Sequence, residues 1–337
     1  MAANNRKVLF IGRVHERGQA LAESRVDVDI DVYEGRDPAE IRRQIVDADA
    51  IVVRTAVIDR SVIDSGRRLA IISRHGVGYD AVDIEAAAER SIPVTITPLA
   101  NSVSVAEHAM FMLLALAKNA RRNDAAVRED RFESAKVSIR RLDLAGRNLL
   151  IVGFGRIGSR VAPLALAFGM RVHAYDPYVE PGVMEAAGCA VVEDLHAVLP
   201  GMDAVTVHTP LNHETRGIIG AKELASMKPA AFVVNTARGG VVDENALLAA
   251  LEAKRIGGAG IDVFDSEPTP PRTDHPLLAF DNVVVSPHCA GSTVESSIRM
   301  AEYSVRNVLD RFDGRLDPGV VVNRHLMPVP FQALASS

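Results

Sequence analysis

Short apolar runs recur along the chain, and several of them are separated by segments whose apolar positions follow a helical period. Helical patterns are clearest at 38–50 and 81–91, and Asp37 followed by Pro38 is a typical helix start. Alternation of strands and helices predicts a parallel sheet with helices on both faces. In this first series the strand-like runs lie at 7–11, 27–32, 50–53, 70–73 and 94–97.

A second series of strand-like runs repeats the pattern later in the chain. A long helical segment at 104–130, which Ser104 can cap, separates the two series. An amphipathic helix at 294–312 follows the last run. The pattern therefore predicts two α/β units, of which the second is the better defined. Its strand-like runs lie at 149–155, 171–176, 189–192, 204–209, 231–237, 258–264 and 283–286.

Composition narrows the class of protein. A chain of 337 residues is long for one domain and comfortable for two, and 48% hydrophobic with 24% charged residues is typical of globular proteins. The net charge of −5 gives no reason to expect nucleic acid or an anionic membrane as a partner. The longest apolar stretch, 109–117, is too short to span a bilayer, and the N-terminal run is too short for a signal peptide.

The two cysteines also bear on location. Cys189 and Cys289 form no CxxC motif, which suits a reducing compartment and argues against a structural metal. We therefore expect a cytoplasmic protein without a metal site.

The motif GFGRIG places Gly153, Gly155 and Gly158 between an apolar strand and a predicted helix. A glycine-rich turn alone is weak evidence, but this context is the one that a dinucleotide-binding turn requires. Gly153 would permit the tight turn, Gly155 would let the backbone approach a pyrophosphate, and Gly158 would let the helix pack closely on the strand. The pyrophosphate would then lie at the positive end of the helix. A purely structural turn is the alternative.

Asp176 ends the next strand-like run, where an acidic side chain can accept hydrogen bonds from the adenosine ribose. Its carboxylate would repel a 2′-phosphate by about 4 kcal/mol at ~4 Å, for an effective dielectric constant of about 20. Pro177 and Tyr178 offer no cation to offset this repulsion. We therefore expect NAD rather than NADP as the cofactor.

Three candidate catalytic residues follow three separate strand-like runs: Arg238 in NTARGG, Glu267 in DSEP and His288 in SPHCAG. Each one alone suggests an ordinary surface or core residue. The carboxyl ends of parallel strands meet at one edge of a sheet, so the three are expected near one another. Arg238 would bind the carboxylate of a 2-keto acid, and His288, supported by Glu267, would protonate the oxygen as a hydride is added. Ala290 and Gly291 would let the backbone come close to the cofactor.

Together these motifs resemble the D-isomer-specific 2-hydroxyacid dehydrogenase family over nearly the whole chain. The resemblance implies that Arg238, Glu267 and His288 are the catalytic set. The segments that carry it are 73–87, 101–109, 153–162, 175–177, 208–211, 235–247, 260–268 and 286–291. It also implies that Asp262 contacts the nicotinamide carboxamide. The implied cofactor contacts are Gly153, Gly155, Arg156, Ile157, Gly158, Asp176, Thr209, Pro210, Ala237, Asp262, His288 and Gly291.

The resemblance implies an architecture of two doubly wound parallel sheets. A flavodoxin-like substrate domain at 1–103 would be completed by 296–337, and a Rossmann NAD-binding domain would occupy 104–295. Members of the family are commonly dimers that associate through the cofactor domain. We therefore expect a homodimer with its interface in 104–145.

Within the family, 52–58 and 73–83 most resemble phosphoglycerate dehydrogenases. Arg54 and Arg74 occupy positions where such enzymes bring positive charge to the distal phosphate of the substrate, although solvated strand-end residues are the alternative. The same region supplies three further expected substrate contacts, Gly76, Val77 and Gly78. The expected substrate is 3-phosphoglycerate or 3-phosphohydroxypyruvate. A reductase of hydroxypyruvate, glyoxylate or another small keto acid is the second interpretation.

Two other functions found on the same fold are less well supported by this sequence. Some relatives are NAD-responsive binding proteins in transcription, but these need an added partner surface or tails, which we do not expect here. Formate dehydrogenases do not use a histidine–glutamate pair, because they protonate no alkoxide. A turnover assay with keto acids separates an enzyme from a binding protein.

Overall fold

The computed structural model describes residues 5–267 and 269–328. Pro268, the last residue of one family-like segment, and the ends of the expected substrate domain at 1–4 and 329–337 lie outside the described residues. The chain divides into two compact units. We call Met1–Asn101 together with Ser292–Ser337 the first unit, and Ser102–Gly291 the second unit.

The first unit is built on a parallel sheet with the order β2-β1-β3-β4-β5, which is the flavodoxin-like order. Its strands are β1 (Arg6–Ile11), β2 (Val28–Tyr33), β3 (Ala50–Val53), β4 (Ile71–Arg74) and β5 (Val94–Thr95). The helices between them are α1 (Glu16–Glu23), α2 (Pro38–Gln44), α3 (Arg60–Ser65) and α4 (Ile84–Glu89). Asp37 caps α2 as expected, because its side chain accepts a hydrogen bond from the amide of Ala39.

Both faces of this sheet are buried, which explains why its strands read as continuous apolar runs. Leu9 and Ile11 point into a core that includes α2 residues such as Ile41. The alternate residues Val8 and Phe10 point into a core on the other face, where the last helix of the chain, Val294–Phe312, supplies Ala301, Val305 and Val308.

The second unit contains a parallel sheet of seven strands with the order β12-β11-β10-β9-β6-β7-β8. Its strands are β6 (Asn148–Val152), β7 (Arg171–Tyr175), β8 (Ala190–Val191), β9 (Ala204–Val207), β10 (Phe232–Asn235), β11 (Gly258–Ile261) and β12 (Val283–Val285). The order reverses between β6 and β9, and doubly wound sheets bind ligands at such a reversal. The expected α/β class with two parallel sheets is confirmed.

The second unit contains eight helices within the described residues, and the final helix of the chain belongs to the first unit. They are α5 (Ser102–Ala117), α6 (Ala120–Arg128), α7 (Phe132–Ser138), α8 (Gly158–Ala167), α9 (Pro181–Ala186), α10 (Leu195–Val198), α11 (Ala221–Ser226) and α12 (Glu244–Glu252), followed by α13 (Val294–Phe312). Over the part of the chain that the structure describes, no helix has both the length and the apolar character needed to cross a membrane.

The expectation of one helix over 104–130 is wrong. α5 ends at Ala117, and Asn119 adopts a left-handed conformation with φ of 50° before α6 begins. Asparagine tolerates this conformation, and here its side-chain amide donates to the carbonyl of Arg140 at 2.6 Å. Ser104 is not the cap either, because α5 begins at Ser102 and Ser104 is buried inside its first turn.

Candidate active site

The residues singled out in the second unit follow the carboxyl ends of six parallel strands, so the sheet brings them to one edge. The strands and the residues that follow them are β6 with Gly153, β7 with Asp176, β9 with Thr209, β10 with Arg238, β11 with Asp262 and Glu267, and β12 with His288.

The three glycines of the turn after β6 are required for different structural reasons. Gly153 has a φ of +92°, and a Cβ there would lie 2.8 Å from Cγ2 of Thr209. A Cβ on Gly158 would lie 2.0 Å from the carbonyl oxygen of Gly153, so α8 and the strand could not pack as they do. Around Gly155, in contrast, a Cβ would meet no heavy atom within 4 Å. Gly153 and Gly158 therefore serve the fold, whereas Gly155 borders space that a ligand can use.

The surroundings of this turn fit a dinucleotide. The first turn of α8 carries no acidic residue, and no side chain caps its amide groups. The hydroxyl oxygen of Thr209 is buried and has no hydrogen-bond partner among the described residues. A buried polar atom of this kind is normally satisfied, so a bound molecule would account for it.

Asp176 lies beside the glycine turn and is held there by backbone amides. Phe154 donates to Oδ2 at 2.8 Å, and Tyr178 donates to Oδ1 at 2.9 Å. The hydroxyl of Tyr178 donates to Glu214 and so adds no positive charge. The carboxylate is thus fixed in orientation without a cation among its hydrogen-bond donors in the described structure, which suits ribose hydroxyls and disfavours a 2′-phosphate.

His288 and Glu267 are in direct contact, with Nδ1 of His288 at 2.5 Å from Oε2 of Glu267. The backbone of His288 has a φ of +49°, and its amide donates to the carbonyl of Asp262 at 2.8 Å. The other oxygen of Glu267 accepts from the amide of Phe264 at 2.9 Å. A non-glycine residue in this conformation is held by its surroundings, as is common at functional sites.

Each member of this pair stabilises the charged form of the other. The hydrogen bond to Glu267 raises the pKa of His288 above its ordinary 6.5, against the opposing effects of burial and of the Arg238 charge. Burial alone would raise the pKa of Glu267, but the hydrogen bonds from His288 and from the Phe264 amide outweigh it and lower that pKa below 4.5. The arrangement therefore favours an imidazolium beside a carboxylate.

Arg238 is positioned by the turn after β10. Asn235 shapes this turn, since its side chain accepts from the amide of Ala237 at 3.0 Å and donates to the carbonyl of Arg238 at 2.9 Å. The next residue, Gly239, packs so closely on Phe264 that a Cβ would lie 2.2 Å from its carbonyl oxygen. The loops after β10 and β11 are thus in contact, and the charge of Arg238 lowers the pKa values of both Glu267 and His288.

Asp262 is buried, and its carboxylate organises the loop that carries His288. Oδ1 accepts from Oγ of Ser286 at 2.5 Å and from the amide of Cys289 at 2.9 Å, and Oδ2 accepts from the amide of Ala290 at 3.0 Å. Sequence reasoning did not find this role or the part of Ser286 in it, because the two segments are distant along the chain.

The expected substrate residues Arg54 and Arg74 belong to the first unit and have different surroundings. Arg74 is buried, and its guanidinium donates to the carbonyls of Gly78 at 2.8 Å, Val53 at 2.9 Å and Arg54. Arg54 is exposed, and its contact with the carbonyl of Arg13 is 3.4 Å long.

The two residues that follow Arg74 are His75 and Gly76. Burial, together with the charges of Arg54 and Arg74, lowers the pKa of His75 to about 4, so this histidine is neutral near pH 7. Gly76 has a φ of +146° and open space around the position of a Cβ. The expected contacts at Gly76, Val77 and Gly78 therefore lie on a loop whose backbone Arg74 supports.

Comparison with known proteins agrees with this arrangement. Residues 110–290 match the NAD-binding domain of the D-isomer specific 2-hydroxyacid dehydrogenases. The chain is 37% identical to the D-3-phosphoglycerate dehydrogenase of Methanocaldococcus jannaschii over 94% of this chain and 59% of that protein. It is 38% identical to the glyoxylate reductase of Korarchaeum cryptofilum over 94% of this chain and 95% of that protein. This chain thus spans little more than half the length of that phosphoglycerate dehydrogenase.

A solved structure extends the similarity to three dimensions. The D-lactate dehydrogenase of Aquifex aeolicus, complexed with NAD and lactic acid, superposes with a TM-score of 0.83 at 30% identity, covering 94% of this chain and 99% of that one. The family match covers more than half of the described chain and includes the glycine turn, Asp176, Arg238, Glu267 and His288. The chain belongs to the D-isomer specific 2-hydroxyacid dehydrogenase family, and it carries that family's NAD-binding domain.

Proposed function

We propose that the protein is an NAD-dependent dehydrogenase that interconverts 2-hydroxy acids and 2-keto acids. The observation that carries this proposal is the 2.5 Å contact between His288 and Glu267 at the strand edge where Arg238 also lies. NAD, when bound, supplies or accepts the hydride at C2 of the substrate. The protein has to hold the substrate carboxylate, place C2 and move one proton.

The residues proposed to hold NAD line the same edge. Gly153, Gly155 and Gly158 form the turn for the pyrophosphate, and Asp176 accepts from the adenosine ribose. Asp262 has a fixed carboxylate for the nicotinamide carboxamide. The remaining proposed contacts are Arg156, Ile157, Thr209, Pro210, Ala237 and Gly291.

The catalytic roles follow from charge and geometry. Arg238 binds the carboxylate of the keto acid through paired N–H groups. In reduction, the hydride goes to C2, and the proton on Nε2 of His288 goes to the carbonyl oxygen, so a hydroxyl group forms. Glu267 keeps Nδ1 of the ring occupied and stabilises the protonated ring. In oxidation, neutral His288 accepts the hydroxyl proton as the hydride leaves.

For the substrate we propose 3-phosphohydroxypyruvate and its reduced form, 3-phosphoglycerate. Arg54 supports this choice, because it is an exposed cation whose charge acts on His75, the residue that precedes Gly76, Val77 and Gly78. The second candidate is hydroxypyruvate or glyoxylate. It is favoured by the contacts of Arg74, whose guanidinium already donates to backbone carbonyls rather than facing solvent.

The test is a panel of 2-keto acids with and without a 3-phosphate, assayed by oxidation of NADH. We expect turnover in the wild type, and we expect His288→Ala to lower kcat by roughly 10² to 10⁴ while NADH affinity changes little. His213→Ala, at a side chain that is 90% exposed, is the matched control. If the wild type bound NADH but did not oxidise it with any keto acid of the panel, the proposed activity would be wrong, and an NAD-responsive binding protein would be the better interpretation.

We also propose that the protein forms a homodimer through 104–145. Large apolar side chains are exposed there, including Phe111, Val127, Phe132 and Val137. Large apolar side chains exposed on several helices of one segment favour a protein interface there. Sedimentation of the wild type should give twice the chain mass, and Val137→Asp, at the residue with 89% exposure, should shift it toward the monomer.

For the compartment we propose the cytoplasm. Cys189 and Cys289 are both free cysteines, and neither forms a disulfide in the described structure. Cell fractionation with an antibody against the protein tests this placement.

A further inference from the structure

A line of hydrogen-bonded side chains connects helix α5 to the loop that carries His288. Nε2 of His108, on α5, lies 2.9 Å from Oγ of Ser286, and Oγ of Ser286 lies 2.5 Å from Oδ1 of Asp262. His108 and Asp262 are themselves 3.9 Å apart at their nearest polar atoms. All three residues belong to the second unit. No catalytic or cofactor-binding role assigned above uses His108 or Ser286.

The direction of these hydrogen bonds follows from the groups involved. A carboxylate only accepts, so the hydroxyl of Ser286 donates to Asp262. That hydroxyl has a single proton, and its oxygen must therefore accept from an N–H at Nε2 of His108. The hydrogen bonds therefore all run in one direction: the imidazole donates to the serine, and the serine donates to the carboxylate.

Among the described residues, the hydrogen bonds to the Asp262 carboxylate leave one acceptor position. An ionised carboxyl group offers about four lone-pair positions. Ser286, the Cys289 amide and the Ala290 amide use three of them, two at Oδ1 and one at Oδ2. The remaining position, at Oδ2, suits one N–H donor such as the amide of a nicotinamide carboxamide.

We propose that His108 and Ser286 are positioning residues for the nicotinamide end of the site. They hold the Asp262 carboxylate in the one orientation that binds the amides of Cys289 and Ala290 and presents its last acceptor position to the carboxamide. This inference rests on the proposed function, because it takes Asp262 as the carboxamide contact. Neither residue touches the reacting atoms; both act through Asp262.

The same cluster also has the composition of a metal site, which the geometry disfavours. His108, Asp262 and Cys289 each offer one ligand atom, and these atoms lie within 4.8 Å of one another. However, Oγ of Ser286 is within hydrogen-bond distance of both the imidazole and the carboxylate. A zinc ion would have to displace that hydroxyl and break both hydrogen bonds. Stoichiometric zinc in the purified enzyme, lost in His108→Leu, would overturn the positioning role.

The test compares three variants. His108→Leu removes the donor and keeps the bulk, Ser286→Ala breaks the line at a single oxygen atom, and His108→Gln restores an N–H donor. The affinities for NADH and for ADP-ribose are measured by titration, with kcat and KM for the keto acid. ADP-ribose lacks the nicotinamide, so its affinity reports the rest of the site.

We expect His108→Leu and Ser286→Ala to weaken NADH binding about tenfold and to leave ADP-ribose binding unchanged, since one hydrogen bond is lost at one end of the cofactor. His108→Gln should recover most of the NADH affinity. His196→Leu, at an exposed histidine on α10, is the control and should match the wild type. If NADH and ADP-ribose affinities fell together, or if the Leu and Ala variants bound NADH normally, the positioning role would be wrong.

Failure of this inference can be told apart from failure of the proposed function. If His288→Ala abolishes turnover while His108→Leu and Ser286→Ala behave like the wild type, only the positioning role is lost. If the wild type shows no turnover with any keto acid, the proposed function fails, and the NADH and ADP-ribose titrations still report on Asp262. Ser286→Ala is the smaller change and keeps the test available if His108→Leu does not fold.

Discussion

Nδ1 of His288 lies 2.5 Å from Oε2 of Glu267, and this contact decides which imidazole nitrogen can exchange a proton with a substrate. Glu267 is itself fixed, because its other oxygen accepts from the amide of Phe264. The ring is therefore oriented with Nε2 directed away from the carboxylate. A histidine held in this way is suited to acid–base work at a pH near its pKa.

Glu267→Gln should shift the pH dependence of reduction to lower pH. Reduction needs protonated His288, so the rate is full below the pKa of His288 and is lost as the pH rises through it. Glu267 raises that pKa above 6.5, and glutamine keeps the shape of the side chain without the charge. The measurement is kcat/KM for the keto acid as a function of pH.

The control is Glu252→Gln, at an exposed residue on α12. It should leave the profile of the wild type unchanged. An unshifted profile in Glu267→Gln would mean that the contact with His288 does not govern the titration. Oxidation needs neutral His288, so its rate is full above the pKa of His288 and is lost as the pH falls through it. Glu267→Gln lowers that pKa and should therefore extend the oxidation activity to lower pH.

Two glycines of the same turn should respond in opposite ways to alanine. In Gly158→Ala, the new Cβ would lie 2.0 Å from a backbone oxygen, so we expect a loss of about 3 kcal/mol or more in the free energy of unfolding. In Gly155→Ala, the Cβ meets nothing within 4 Å, so stability should change by less than about 0.5 kcal/mol. NADH affinity should nevertheless fall by roughly tenfold or more, because the methyl group occupies space proposed for the pyrophosphate.

Thermal unfolding and NADH titration of both variants check this contrast. Gly182→Ala is the control, since a Cβ there also meets no heavy atom within 4 Å and the residue lies on α9. Normal NADH binding in Gly155→Ala would place the pyrophosphate elsewhere. A stable Gly158→Ala would contradict the close packing of α8 on its strand.

Much of this fold could be predicted because its signals are local. Strand-like runs, the Asp37–Pro38 helix start and the glycine turn each lie within a few residues, and parallel topology then places the residues after the strands at one edge. The two α/β units were predicted from these signals, and the family was predicted from the motif segments that resemble it; both predictions are confirmed. The roles of Arg238, Glu267 and His288 stay predictions, although the contact between His288 and Glu267 is observed.

Other features depend on contacts between distant residues and could not be predicted. The break at Asn119 is stabilised by the carbonyl of Arg140, and the periodicity of the segment continues through it. From the sequence, Arg74 is expected to be an exposed cation, because the sequence does not show that the carbonyls of Val53 and Gly78 accept hydrogen bonds from its guanidinium. His108 joins the site only because α5 packs beside β12.

Asp176→Asn should lower the preference for NADH over NADPH. The amide keeps an oxygen acceptor for the ribose hydroxyl but removes the charge that repels a 2′-phosphate. Because Asp176 is only partly buried, solvent screens this repulsion, and we expect the ratio of kcat/KM values to fall by roughly tenfold. Asp124→Asn, at an exposed pair on α6, should leave the ratio unchanged. An unaltered ratio in Asp176→Asn would remove this carboxylate from cofactor selection.

Arg74→Ala should damage the first unit as a whole. Its guanidinium donates to the carbonyls of Val53, Arg54 and Gly78. Truncation would remove this donor from Arg54 and Gly78 at a cost of about 1–3 kcal/mol, whereas the Val53 carbonyl would keep the amide of His75. The melting temperature should therefore fall, and activity with phosphorylated and unphosphorylated keto acids should fall in parallel. A stable variant that lost only the phosphorylated substrate would show that Arg74 binds phosphate directly.

Arg54→Ala should discriminate between the two substrates. Arg54 is exposed, and in the described part of the chain its guanidinium makes a single long hydrogen bond, to the carbonyl of Arg13 at 3.4 Å, so its removal should not lower the melting temperature. If its guanidinium binds the 3-phosphate, the KM for 3-phosphohydroxypyruvate should rise roughly ten- to a hundredfold. The KM for hydroxypyruvate should stay constant, because that substrate offers no phosphate to bind. Equal effects on both, or a wild type that prefers the unphosphorylated acid, would favour a hydroxypyruvate or glyoxylate reductase instead.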